Sequence, residues 1–399
     1  MKKYILLLLS VCGLVSCDLV SGEGDGSANA IYMGTSNKDG VISMVVSDAT
    51  GGSTTITPRL ANITENPVEI TVSLDKKALE EYNKKSGLTL EALDSEDFYF
   101  VTNDGKEYQN QATVVINRGE YDSSLEVKVK SIDKEKYPYS KGFAIPVSIT
   151  NASNYQILSS PKTAIVKINR EIITSVGKFT KGGSIALVPN FTPEPMNEWT
   201  LQVSILCPNM NHSNMTTISI NEASNEFYTR INSSKGIQVK QGRDGDDTWT
   251  GKSLNSNKWL NITYVHKDAS WLSVYVNGEL QKTFQVAPIY LTTKTKSCVY
   301  IGNGHYNGVY VREARMWKKA LTEGEIIDKM YLPQNAEDPE LMMYMPFTKV
   351  EDGSLQELTG NWRVTNFVDL GISDDAVSKP EITYVENVLF PSDNLKIVE

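Results

Sequence analysis

The stretch from Lys258 to Phe284, KWLNITYVHKDASWLSVYVNGELQKTF, decides the fold. Two runs rich in β-branched and aromatic residues flank a short polar turn. The second run ends on Asn277-Gly278, a pair whose easy positive φ suits a two-residue hairpin. The pattern predicts three consecutive antiparallel strands. On the middle one Leu272, Val274 and Val276 point one way and Trp271, Ser273 and Tyr275 the other, so period two names the first set as the core side.

Working outward, Trp199-Thr200-Leu201-Gln202-Val203-Ser204-Ile205 precedes this hairpin. Tyr300-Ile301-Gly302 follows it, and then Val311-Arg312-Glu313-Ala314-Arg315-Met316-Trp317-Lys318-Lys319-Ala320-Leu321-Thr322-Glu323-Gly324-Glu325-Ile326. These segments resemble the laminin-G-like, concanavalin-type jelly roll over about residues 175 to 370. The resemblance implies two packed antiparallel sheets, core positions for Trp199, Trp259 and Trp317, and a short helix after Leu321. Thr322 can cap that helix and Glu325 can complete a capping box. Leu341 to Phe347 resembles the strand that often opens this jelly roll; here it comes late and is expected to close the sheet from the C-terminal end. The tail, Asp369 to Glu399, reads as a final strand or an extended arm.

Upstream, seven strand-like runs alternate with turns: Val41–Val46, Thr54–Leu60, Val68–Leu74, Ala112–Ile116, Ser124–Val129, Phe143–Ile149 and Thr163–Ile168. That spacing predicts an immunoglobulin-like sandwich. Lys76 to Lys85, with Ala78, Leu79 and Tyr82 at helical intervals, interrupts it as a short helix. Glu81 to Thr89, Phe98-Tyr99-Phe100, Ile116-Asn117-Arg118-Gly119 and Ile145-Pro146-Val147-Ser148-Ile149 resemble an N-terminal domain of unknown function common in Bacteroidetes lipoproteins. Its family includes the leading domain of some surface endo-N-acetylglucosaminidases. The expected organisation is all-β: a domain over residues 30–170, a junction at Arg170 to Phe179, and a jelly roll with C-terminal extension over 175–399.

At 399 residues, 22% charged and 40% hydrophobic, the chain has material for two ordinary globular cores. Its formal charge of −9, with no clustered run of Lys and Arg, excludes nucleic acid as a partner and leaves a neutral ligand comfortable. Residues 1–16 read as a leader, with Lys2 and Lys3 before the apolar run Ile5 to Val15. This run is too short for a permanent bilayer span. Leu14-Val15-Ser16-Cys17 resembles a bacterial lipobox, which implies lipid attachment at Cys17; the alternative is a plain secretory leader with an incidental cysteine. Residues 17–29 are Gly-, Ser- and acid-rich, as a flexible tether would be. Cys207 and Cys298 either pair or sit as two buried thiols.

Catalysis finds little support in the residues. A retaining glycosidase needs two carboxylates about 5 Å apart, which alternate positions of one strand would supply. The nearest fragment, Glu120-Tyr121-Asp122, lies in the other domain. With only His212, His266 and His305, a serine triad has few bases to draw on, and no Gly-x-Ser-x-Gly turn is present. Asp244, Asp246 and Asp247 fall in the loop Gln241 to Trp249, where three carboxylates either bind calcium or form a solvated acidic loop. Laminin-G-like domains sometimes carry calcium, so the resemblance keeps that option.

Sugars lay their apolar C–H faces on aromatic rings while amides and carboxylates fix the hydroxyls. Trp249 stands beside Asp246 and Asp247, and His305 and Tyr306 stand between Asn303 and Asn307. Trp271 and Tyr275 share the non-core face of their strand, as a ligand platform or as a surface covered by a loop or the N-terminal domain. The reading is a non-enzymatic, lipid-anchored, surface-exposed outer-membrane protein that binds glycan and works with outer-membrane glycan uptake proteins. The alternative is an adhesin or structural protein that binds another protein.

Overall fold

The hairpin forms as the sequence predicts. Trp259–Lys267, Trp271–Val276 and Glu279–Gln285 run antiparallel in succession, and Val276 pairs with Glu279 across a turn whose Asn277 and Gly278 have φ of 51° and 80°. Gly278 is required for a second reason, since a Cβ there would stand 2.7 Å from Ile327. Leu272, Val274 and Val276 are buried. The computed structural model describes residues 29–34, 40–210, 214–373 and 378–398; the leader, Cys17, the tether up to residue 28, and His212 lie outside them.

The hairpin forms one edge of the larger jelly-roll sheet, which continues through Trp199–Leu206 to Tyr310–Trp317. The opposing sheet orders Ile218–Asn221, Cys298–Ile301, Ile185–Pro189 and Trp362–Asn366. Leu201, Val203, Ile262 and Val274 from the first meet Ile185, Leu187, Ile218 and Val299 from the second. Leu341–Met345 pairs with Tyr310–Trp317 as expected of a late closing strand. The tail supplies a true strand, Glu381–Phe390. Trp199, Trp259 and Trp317 are all buried, each in a different cluster. Cys207 and Cys298 are free buried thiols, and burial pushes both up to about 12.

All seven upstream runs are strands, and they build a second sandwich with its own core around Ile56, Val72, Phe98, Val127, Ile145 and Val166. Its helix spans Lys76–Ser86, with the Asp75 side chain accepting from the Ala78 amide and Gly87 closing the C-terminus at φ 72°.

The junction differs from expectation. Instead of a linker over Arg170 to Phe179, one 19-residue strand, Thr163–Lys181, passes through both domains. Its first half pairs with Phe143–Ala152 and Val41–Ser47; its second half pairs with Glu381–Phe390 and Tyr310–Trp317, giving a continuous 13-stranded sheet. The run is continuous because β-branched residues persist through Ile165, Val166, Ile168, Ile172, Ile173 and Val176, with no Gly or Pro before Gly177. Where it crosses, buried Arg170 holds Asp48 at 2.6 Å.

A wedge secures this junction. Helix Glu323–Lys329 begins with the predicted Thr322–Glu325 capping box and packs Ile327 on the hairpin turn. Its Gly324 approaches the other domain so closely that a Cβ would lie 2.9 Å from the Ser86 carbonyl oxygen. Asp328 on the same helix meets Lys167 of the shared strand at 3.2 Å, with side chains only 10% and 16% exposed. Removing one member of such a pair strands the other charge out of water. Asp328→Ala should therefore lower the unfolding free energy by about 3–5 kcal/mol in urea titrations, and Lys167→Met with Asp328→Leu should restore most of it. A cost below about 1 kcal/mol for Asp328→Ala would show the pair to be solvated and the wedge loose.

Candidate functional site

The outer face of the larger sheet carries polar residues, yet it is not open. Gln202, Ser204, Asn261, Thr263, Glu313 and Arg315 are all buried there. Helix Glu323–Lys329 and the segment after it lie over them: Asn261 donates to the Met330 carbonyl at 3.1 Å, and Arg315 donates to those of Lys329, at 2.6 Å, and Leu332. Glu313 is the one fully buried carboxylate among the described residues. Arg312 at 2.9 Å, Arg315 at 2.6 Å and the Tyr344 hydroxyl at 2.9 Å hold it. A carboxylate tied in this way is a structural anion.

The two aromatics of the hairpin's non-core face part company. Tyr275 is half-buried against the cluster of Val265, Trp317, Leu321 and Ile326 under the helix, and burial raises its pKa, with Glu323 adding to the rise. Trp271 remains 46% exposed. Opposite it on the edge strand sits Gln285, exposed on the same face, followed by Thr283, whose hydroxyl meets Ser273 at 2.8 Å.

Gln285 and Thr283 also border a groove of about 530 Å³, completed by Asn225, Gln241, Arg243, Asp247, Lys282 and Phe284. Its walls are pinned. The Gln241 amide exchanges two hydrogen bonds with the Ala287 backbone, at 3.0 and 3.1 Å, and Asn225 donates to Pro288 at 2.6 Å. Lys282 packs over the Phe284 ring and donates to the carbonyls of Asp247 and Trp249, both at 2.8 Å. Arg243 and Asp247 stay exposed, 3.8 Å apart. An exposed indole therefore stands beside a fixed amide wall and one exposed charge of each sign, an arrangement that suits a ring with an apolar face and hydroxyl edges.

The remaining expected residues divide. Trp249 is half-buried and contributes its carbonyl to Lys282, while its ring faces the Lys235 ammonium at 5.9 Å. Tyr306 corrects the expectation of a loop aromatic: it is fully buried, edge-on to Phe179 at 4.9 Å, because the turn at Gly302 folds it into the core. Asn303 is likewise buried, its amide bonded to the carbonyl of Asn214 and the hydroxyl of Thr216. His305 is half-buried on that same turn. The three loop carboxylates do not gather on one point. Asp244 pairs with Lys240 at 2.9 Å, Asp246 with Lys235 at 3.0 Å, and Asp247 faces Arg243. The carboxylates that do converge among the described residues are Asp94, Glu96 and Asp97 in the first domain, and the Lys136 ammonium stands among them at 2.6–2.9 Å. Glu120 staples its own turn through Asn117, and Asp122 meets Arg59 at 3.5 Å.

Gln285, Arg243, Asn225 and Gln241 escaped the sequence reading. Counting back from the Asn277-Gly278 turn would set Phe284 opposite Trp271, but a bulge between Val274 and Tyr275 shifts the register by one. The available signal was Leu272: a core residue demands an apolar partner, which is Phe284 and not Thr283.

Residues 180–327 match the family model of the concanavalin A-like lectin/glucanases superfamily, and residues 27–156 match a model of an N-terminal domain. With the two sandwiches, this defines the class: an all-β, two-domain protein whose C-terminal domain is concanavalin A-like. Among similar solved structures is a Bacteroides ovatus ATCC 8483 protein proposed to bind carbohydrate. It is 18% identical, with a TM-score of 0.47, and 90% of this chain and 97% of that one are covered. EndoBT-3987 of Bacteroides thetaiotamicron, solved with a Man5GlcNAc product, is 21% identical over 35% of this chain and 30% of its own, at a TM-score of 0.26. Domain 4 of AbnA, a GH43 extracellular arabinanase from Geobacillus stearothermophilus in complex with arabinotriose, is 15% identical over 37% of this chain and 72% of its own, at 0.29. No curated protein matches the chain.

One histidine carries a stability consequence. His266 is buried flat against Trp199, with ring centroids 4.9 Å apart, and burial lowers its pKa to about 4. The unfolded chain takes up this proton near pH 6.5 and the folded chain only near pH 4. His266 therefore favours folding fully above the higher value, and that contribution is lost as pH falls toward the lower one. Unfolding free energies measured from pH 7.5 to 5 should fall by about 2 kcal/mol through this group, and His266→Phe should flatten that stretch. An identical slope in the variant would assign the loss to other groups.

Proposed function

We propose that the protein is a non-catalytic, lipid-anchored, surface-exposed outer-membrane protein that captures glycan through the hairpin edge of its jelly roll and serves a glycan uptake system. One observation carries the reading: the exposed Trp271 indole beside a groove of pinned amides and charged groups. The match of the C-terminal domain to a family that includes lectins supports it. The lipobox-like Leu14 to Cys17 and the polar tether support the anchor. Binding is proposed to be independent of calcium, because each loop carboxylate already faces its own cation.

Electrophoresis of the soluble protein through gels containing different polysaccharides tests this. Retardation is expected in at least one gel, unchanged by EDTA, with no reducing ends released. Trp271→Ala should weaken binding by about 2 kcal/mol, some thirtyfold, and leave the melting temperature nearly unchanged, because the ring is half outside the fold. Capture of a protein ligand with no retardation in any gel would favour the adhesin reading. In the native cell envelope, Cys17→Ala should move the protein from the membrane to the soluble fraction or leave its leader unprocessed; unchanged fractionation and lipid labelling would contradict the anchor.

A further inference from the structure

A second groove, of about 700 Å³, opens on the outer side of the smaller sheet. Asn221, Glu222, Glu226, Tyr228, Arg230 and Lys240 line it, over a floor of Tyr300 and Phe367, whose rings meet at 4.7 Å. Nothing in the hairpin-edge reading uses it, yet the two grooves share a wall. Asn225 and Gln241 line the first, and their chain neighbours Glu226 and Lys240 line the second. Consecutive Cα atoms are about 3.8 Å apart, so the partition is one residue thick. Glu226 clamps the partition by accepting from the Gly242 amide.

The second groove is built to receive polar groups. The Arg230 guanidinium lines the groove and lies over the Tyr228 ring at 5.1 Å, and it donates a long hydrogen bond of 3.5 Å to Gln238. A guanidinium has five N–H donors, and one held by a single long bond at the rim of a groove can still donate to an incoming hydroxyl oxygen. Charge is balanced: Glu222, which pairs with Lys294, and Glu226 line this groove with Arg230 and Lys240, which pairs with Asp244, and Asp247 lines the first groove with Arg243 and Lys282. Lys282, moreover, is turned onto two backbone carbonyls. A polyanion would meet three carboxylates with no excess of free cations, whereas a neutral hydroxyl-rich chain finds both donors and acceptors.

We infer that the two adjoining grooves form one extended site that takes an internal segment of a neutral polysaccharide chain across the partition at Asn225–Glu226 and Lys240–Gln241. This rests on the glycan-binding reading above and names the ligand class for it.

The test uses the soluble two-domain protein and size-fractionated oligosaccharides of neutral glucan, mannan and xylan, with polygalacturonate as the anionic arm, followed by calorimetry. For the neutral series that retards the protein, affinity should climb with chain length beyond the shortest binding fragment. Arg230→Gln should remove roughly tenfold of that gain, one contact's worth, while leaving the shortest fragment's affinity intact. Glu222→Gln, at an exposed position, should act in the same direction and guards against a folding defect at Arg230. If Trp271→Ala abolishes binding while neither second-groove variant changes the length dependence, the extended site is wrong and the hairpin-edge reading survives. Preference for polygalacturonate over every neutral chain would overturn the ligand class. If no chain binds, or if binding is indifferent to Trp271, the underlying reading fails first.

Discussion

The buried Glu313 carboxylate, held between Arg312 and Arg315, is the constraint on which the rest of the molecule depends. Glu313 adopts φ 55° at a bulge in its strand, where the pairing with Trp199–Leu206 shifts between Gln202 and Ser204. At this bulge three charged side chains within four residues, Arg312, Glu313 and Arg315, are buried together. Taking such charges out of water costs several kcal/mol each unless every donor is met. Other donors of the two guanidiniums reach outward, although each Nε stays buried without a partner. Arg312 bonds Thr174 and the Ser175 carbonyl on the shared strand, and Arg315 bonds the Lys329 and Leu332 carbonyls at the end of the wedge helix. An arginine at a helix C-terminus is also favoured by the helix dipole. Satisfying one buried anion thus fixes the helix over the sheet and ties the sheet to the strand that both domains share.

Two consequences follow for function. The helix closes the outer face of the larger sheet and takes Tyr275 with it, which leaves the hairpin edge and Trp271 as the open aromatic surface of that sheet. It also carries Asp328 to Lys167, so the same element that closes one surface braces the domain junction. A shared strand, a buried ion pair and close glycine contacts make the first domain a rigid pedestal for the second.

Much of this architecture was legible in the residues. The Asn277-Gly278 turn, the alternation through Trp271 to Val276, the Thr322–Glu325 capping box and the seven upstream strands each rest on local chemistry that tertiary context did not override. The site was legible only in part. Trp271 was named from its face, but a face does not say what covers it, and only the helix over Tyr275 separated the two rings. Tyr306 misled because its neighbours Asn303, His305 and Asn307 are polar, as a loop tip would be; a glycine at Gly302 with φ 74° turned the chain so that the ring pointed inward. The continuous strand at the junction was written in its β-branched run, and the expectation of a linker weighed domain boundaries above that pattern.

The chain has six tryptophans, and their indole N–H groups report separately in the nitrogen-15 spectrum of the folded protein. Titration with the retarding polysaccharide's oligosaccharides should shift the Trp271 signal in proportion to occupancy, while those of Trp199, donating to the Ile289 carbonyl, and Trp317, donating to Gln202, stay in place. Saturable binding that leaves the Trp271 signal unmoved would contradict the placement of the site at the hairpin edge.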